Sequence, residues 1–148
     1  MKTRNIITQP TPEQLRFPAS NGLTIRADFN GGVLSTDLGP LILGGVDRQI
    51  QLTHQMAEAF NDPRHPCYIG HRLTDLMAQR VYQIACGYED ANDANALRKD
   101  PLFKMGVGRT PLEEDQDLAS APTFSRLENA ATSRDLYRLA QVFVDQFI

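Results

Sequence analysis

The sequence predicts a mainly α-helical fold, a helical domain with a helix-turn-helix-like segment and one short N-terminal β-strand. Three observations carry this. Apolar residues recur at helical spacing through most of the chain, Pro, Gly and capping residues fall between those stretches, and one segment alone alternates with the period of a strand.

Residues 1–22 are polar and broken by Pro10, Pro12 and Pro18, which reads as a flexible arm ahead of a domain spanning residues 23–148. Residues 23–29, LTIRADF, set Leu23, Ile25, Ala27 and Phe29 against Thr24, Arg26 and Asp28, the alternation of a half-buried strand. Asn30-Gly31-Gly32 is a turn signal. A lone strand is unstable, so either Val33-Leu34 folds back on it or its partner belongs to another domain.

From Ser35 the period changes. Ser35, Thr36 and Asp37 are suitable N-caps, and Leu38, Leu41, Ile42, Val46 and Ile50 follow at helical spacing, with Gly44-Gly45 weakening the helix without ending it. Leu52, Met56, Ala59 and Phe60 continue the stripe until Asn61-Asp62-Pro63. Residues 64–70 form a loop. Residues 72–85 make the clearest helix, with Leu73, Leu76, Met77, Val81, Ile84 and Ala85 on one face; Arg80 lies in that stripe, its stem covered and its head reaching out to a partner. Asp90 and Asp93 cap a short helix running through Leu97, residues 101–105 make a brief turn, and Gly106 and Gly108 mark a loop.

Thr110-Pro111 opens the first helix of the helix-turn-helix, which Leu118 and Ala119 close. Ser120-Ala121 turns the chain and Pro122 opens the second helix, where a missing N–H loses no hydrogen bond. Phe124 and Leu127 face inward there, while Thr123, Ser125, Arg126 and Asn129 sit on or near one exposed side. Arg can pair bidentately with guanine, Asn with adenine, and hydroxyls can reach phosphates. The same residues also suit the polar outer face of an ordinary bundle helix. Ser133 caps a last helix carrying Leu136, Leu139, Ala140, Phe143, Val144, Phe147 and Ile148. The chain stops on that stripe, so the sequence looks cut.

With 148 residues the chain can bury a core without staples, and its 41% hydrophobic content is ordinary for a soluble protein. Two cysteines and no leader or membrane-length apolar run predict a cytoplasmic protein with free thiols. The net charge of −3 does not advertise nucleic-acid binding. Residues 64–109 carry 7 basic and 5 acidic side chains, residues 110–148 carry 3 and 7, so phosphate-facing charge is expected from the middle of the chain.

His65, Cys67 and His71 lack the fourth ligand of a structural zinc site. The run EDANDANAL lacks the Gly and closing Glu of a calcium loop. No Ser/His/Asp set, phosphate loop or CxxC pair is present, and no cofactor is expected in this chain.

Several segments together resemble one family. They are FNGGVLSTDLGPLIL at residues 29–43, the pair Asp62 and Arg64, HRLTDLMAQRVYQIACGYEDANDANALRKDPLFK at residues 71–104, LASAPTFSRLEN at residues 118–129, and the closing VFVDQFI. In this order and spacing they are similar to the amino-terminal region of group 1 DDE-type insertion-sequence transposases of bacterial mobile elements. The resemblance implies that an RNase H-like domain follows, carrying the two aspartates and the glutamate that hold Mg2+ for strand cleavage and transfer. None of those carboxylates maps onto this chain, so no catalytic residue is assigned.

The resemblance also implies double-stranded DNA as partner, at the terminal inverted repeats, with association with the nucleoid when DNA-bound. Arg126 and Asn129 are then the candidates for base edges, Thr123 and Ser125 for phosphates, and Arg72, Arg80, Arg98, Lys104 and Arg109 for backbone contacts. A second expectation is an interaction module, the last helix forming a homodimer or docking on full-length transposase. A third is an enzyme acting jointly with a separately encoded catalytic half, which no feature of the sequence supports, and a fourth is a frameshifted or truncated relic without a role.

Overall fold

The computed structural model describes residues 15–19, 22–27, 37–111 and 117–147, and among them the chain forms a helical bundle with one two-stranded antiparallel ribbon. Strand β1 (Leu15–Arg16) pairs with β2 (Arg26–Ala27), Leu15 opposite Ala27 and Arg16 opposite Arg26. The partner of the predicted strand thus comes from the stretch read as an arm. The turn at Asn30-Gly31-Gly32, the pair Val33-Leu34 and the caps Ser35 and Thr36 lie outside the described residues.

Helix α1 (Gly39–Ile50) opens where the Asp37 carboxylate accepts the Gly39 N–H at 2.8 Å and Pro40 occupies the first turn. Its buried side is Pro40, Leu41 and Gly44. Ile42, Val46 and Ile50, which share the predicted helical repeat with Leu41, are exposed. Gly44 is the reason. A methyl there would collide with the carbonyl oxygen of Gly106 in α5 (Pro101–Gly106), and a methyl on Gly106 would come within 2.5 Å of the Pro40 carbonyl oxygen. The two backbones touch, which turns the side of α1 that carries Leu41 and Gly44 inward and leaves Ile42, Val46 and Ile50 outward.

Gln51 separates α1 from α2 (Leu52–Ala59) in a left-handed conformation, φ 57°. Asp47 bridges this break. Its carboxylate accepts the Thr53 N–H at 2.9 Å, the Thr53 hydroxyl and, from α3 (Leu73–Ala85), the Tyr82 hydroxyl at 3.0 Å. Burial first, and then the Asp47 charge, push the Tyr82 phenol well above its ordinary pKa.

α3 is enclosed more widely than its apolar stripe indicated: Asp75, Gln79, Tyr82 and Gln83 are buried with Leu76 and Met77, while Ile84 faces out. Leu76 joins Phe60, Ala94, Ala119, Phe124 and Leu127 in one cluster, and Tyr82 joins Phe103 and Leu118 in another. Helix α4 (Asp93–Leu97) follows a turn in which the Asp90 carboxylate accepts the Asn92 N–H, so Asp90 caps the turn and not the helix itself. The predicted turn at Pro101 is a helix, α5, because Asp100 accepts from the N–H groups of Leu102 and Phe103.

Helix α6 (Ala121–Ala130) is the predicted second helix. The first helix of the expected helix-turn-helix is not seen: residues 112–116 lie outside the described residues, and residues 117–120 are irregular rather than the end of a helix. Leu118 and Ala119 are buried as a strap instead. Their peptide groups leave the helical pattern because other partners take them, the Leu118 N–H donating to the Arg98 carbonyl and the Ala119 N–H to the Gln79 side chain.

Helix α7 (Ser133–Phe147) starts on the residue predicted to cap it, because Thr132 does the capping one position earlier. The Thr132 hydroxyl accepts the Asp135 N–H while the Asp135 carboxylate accepts the Thr132 N–H, a reciprocal capping box. Asp135 also accepts the Asn61 N–H, joining α7 to the end of α2. The inner face of α7 is Asp135, Leu139, Val142 and Gln146; Leu136, Ala140, Phe143 and Val144 are exposed. The predicted Phe147 and Ile148 side chains lie outside the described residues.

Candidate nucleic-acid interface

α6 holds its inward side with Phe124 and Leu127, both buried, and with Ala121, whose N–H donates to the Asn95 side chain at 3.0 Å. Its spacing then turns Ser125, Arg126 and Asn129 outward, with Thr123 half-buried at the edge. Asn129 donates to the Ser125 hydroxyl at 3.3 Å, and the Thr123 hydroxyl lies 3.3 Å from that of Ser120. Among the described residues no carboxylate pairs with Arg126.

The five other candidate cations are placed differently. Lys104 is only 3% exposed and sits 2.9 Å from the Asp117 carboxylate, which Arg98 also approaches at 3.5 Å. Lys104 holds the Asp117 carboxyl below the usual carboxylate range. Arg109 is nearly buried, donating to Asp75 at 3.0 Å and to the Asp117 carbonyl at 2.9 Å. Arg80 reaches α6 and meets Glu128 at 2.9 Å, the partner its position in the sequence called for. Arg72 shares Asp75 with Arg109 but keeps 80% of its side chain in solvent. Arg72 and Arg98 therefore present charge outward, whereas Lys104 and Arg109 tie the strap at residues 117–120 to α3 and α5.

Beside α6 lies a cleft of about 310 Å³. Thr123, Arg126, Leu127 and Ala130 form one wall, and the loop carrying Asp62, Arg64, Tyr68 and His71 forms the other. That loop is stiff at its base. Asp62 takes a two-pronged bond from Arg64, at 2.7 and 2.6 Å, and Arg64 also donates to the His71 carbonyl at 2.9 Å. The Arg64 fork holds the Asp62 carboxyl below its ordinary range. Burial, and then the nearby Arg109 charge, lower the His71 pKa from 6.5. At the rim, a short 3-10 turn (Pro66–Tyr68) lifts Tyr68 until its residue surface is 85% exposed. Tyr68 was not singled out from the sequence; an aromatic residue in a loop bounded by Pro66 and Gly70 was the available signal.

A family model described as transposase DDE domain group 1 matches residues 17–148, nearly the whole chain. The protein belongs to that family of transposases. No curated protein and no solved structure matches it. Membership ties the chain to transposition and, in general terms, to DNA. Among the described residues no three His, Cys, Asp or Glu side chains converge on a metal-sized space. No described helix is long and apolar enough to cross a membrane.

Proposed function

We propose that this chain binds double-stranded DNA during transposition, recognising the ends of the mobile element through the outer face of α6. The observation that carries the reading is Arg126, exposed and without a carboxylate partner among the described residues, on a helix whose inner face is locked by Phe124 and Leu127. Arg126 and Asn129 read base edges in the major groove, and Thr123 and Ser125 bond phosphates. Arg72 and Arg98 add backbone charge from the flank. Arg80 retains Glu128 as partner, and Lys104 and Arg109 serve the fold rather than the phosphates, since drawing either to DNA would strip a carboxylate of its internal cation. Binding, not strand cleavage, is assigned to these residues.

The test is fluorescence anisotropy against a duplex carrying the terminal inverted repeat and a scrambled duplex, across a salt series. Tighter binding to the repeat, a negative salt slope and about a tenfold loss in Arg126→Ala support the reading. Equal binding to both duplexes at low salt, with folded protein, overturns it.

A second reading rests on a different surface. Leu136, Tyr137, Phe143 and Val144 on α7 are 59%, 68%, 46% and 46% exposed, more apolar surface than a single scattered residue leaves. It fits an interaction module that pairs with a second copy or with full-length transposase.

A further inference from the structure

We propose that the cleft between α6 and the Tyr68 loop is a binding site for one unpaired nucleotide, its base in the cleft and its phosphate on Arg126. The inference deepens the DNA-binding reading by naming a second form of substrate at its edge. The cleft has the size of a small-ligand pocket, and its composition changes with depth. Leu76, which is 1% exposed, and Leu127 supply an apolar floor that suits a flat ring and gives a phosphate nothing to bond. Polar groups stand around it: the Thr123 hydroxyl, the His71 imidazole and the Asp62–Arg64 pair. Held neutral by burial and the cations around it, His71 offers one donor and one acceptor to a base edge.

Two features make the ligand a nucleotide rather than an apolar molecule. Arg126 lines the same cleft, so a cation with no carboxylate partner among the described residues stands beside the flat-ring space. Tyr68 stands mostly in solvent at the rim, its ring tilted against that of His65 at 5.7 Å between centroids, and the exposed remainder of the ring is ready to stack on a base. A base inside a duplex is unavailable to such a cleft because both of its faces are already stacked. The ligand is therefore a free mononucleotide or an unpaired position in a strand, which share the same chemistry.

Three probes separate the outcomes: a labelled oligothymidylate of about ten nucleotides, a blunt duplex of the same strand length, and free thymidine monophosphate as competitor. Tyr68→Ala removes only an exposed ring and leaves the fold intact. The expected result is about a tenfold loss of oligothymidylate affinity in Tyr68→Ala and a similar loss in His71→Ala, while blunt-duplex affinity changes less than twofold. Competition by the mononucleotide at micromolar concentration assigns the site to free nucleotides; competition only at millimolar concentration assigns it to strands. Oligothymidylate affinity unchanged in Tyr68→Ala, or no oligothymidylate binding by the wild-type chain, overturns the proposal. Repeat-specific duplex binding that persists in that case leaves the α6 reading standing. Single-strand binding without repeat preference leaves only the cleft.

Discussion

The side-chain amide of Gln79 pairs with both sides of Ala119: its Nε2 donates to the Ala119 carbonyl and its Oε1 accepts the Ala119 N–H, each at 2.9 Å. Both residues are buried, so the irregular strap at residues 117–120 crosses the core with those peptide groups satisfied. Gln79→Leu keeps the volume but strands a buried donor and a buried acceptor. We expect a loss of about 2–4 kcal/mol in chemical unfolding. A loss below about 0.5 kcal/mol would mean the strap finds other partners.

The contact of α1 with α5 yields a paired prediction. Gly44→Ala and Gly106→Ala each place a methyl against backbone that cannot step aside, and each should cost about 1–3 kcal/mol. Gly45→Ala meets nothing closer than Arg48 at 3.9 Å and should stabilise α1 by up to about 1 kcal/mol. Thermal melts of the three variants check the contrast in sign.

Stability should fall in two steps on acidification. His71 has its folded pKa depressed by burial and by Arg109, so the folded state resists a proton that the unfolded chain accepts. Stability is undiminished above pH 6.5 and declines as the pH drops below it toward the folded value. Asp62, Asp117 and Asp135 are depressed below 3.8, chiefly by bonds from Arg64, Lys104 and Thr132 respectively. Their contribution is complete above pH 3.8 and is lost as the pH falls through the folded values. Urea midpoints against pH should lose the upper step in His71→Gln and keep the lower one.

Lys104 and Arg72 should part company on DNA. Arg72→Ala should reduce the salt slope of binding by about one unit with little change in melting temperature. Lys104→Met should lower the melting temperature and leave the slope unchanged in whatever protein stays folded. The reverse pattern would return Lys104 to the phosphate contacts.

On α7, Leu136→Glu and Phe143→Glu alter exposed positions and should leave helicity intact by circular dichroism. If the outer face joins copies, sedimentation velocity shows association of the parent chain that both variants lose. A parent chain that stays monomeric with rising concentration, and does not bind full-length transposase, removes the second reading.

Helix α3, helix α6 with its inward Phe124 and Leu127, and the existence of α7 were legible from periodicity, because each is long enough for a repeat to show. Boundaries and faces were less so. The aliphatic stripe of α1 indicated a buried face, but a stripe reports only that apolar residues share a side; the Gly44–Gly106 contact decides which side goes in. Gln79 and Ala119 lie forty positions apart, and nothing local joins them. Cations that looked available as a class were separated by carboxylates distant in sequence, Asp75 for Arg109 and Asp117 for Lys104. Thr132 and Asp135, by contrast, had the capping-box spacing in plain view, one residue ahead of the cap read from Ser133.

Helix α7 is fastened at both ends. Asp135 holds Asn61 at its start, and the Gln146 amide reaches the Ile50 carbonyl at 3.2 Å and Gln55 at 3.1 Å near its end. Its exposed ridge therefore has one orientation before any encounter. A partner settling there forfeits little of the ordering entropy that a loose helix would demand, and even a modest contact area could sustain useful affinity.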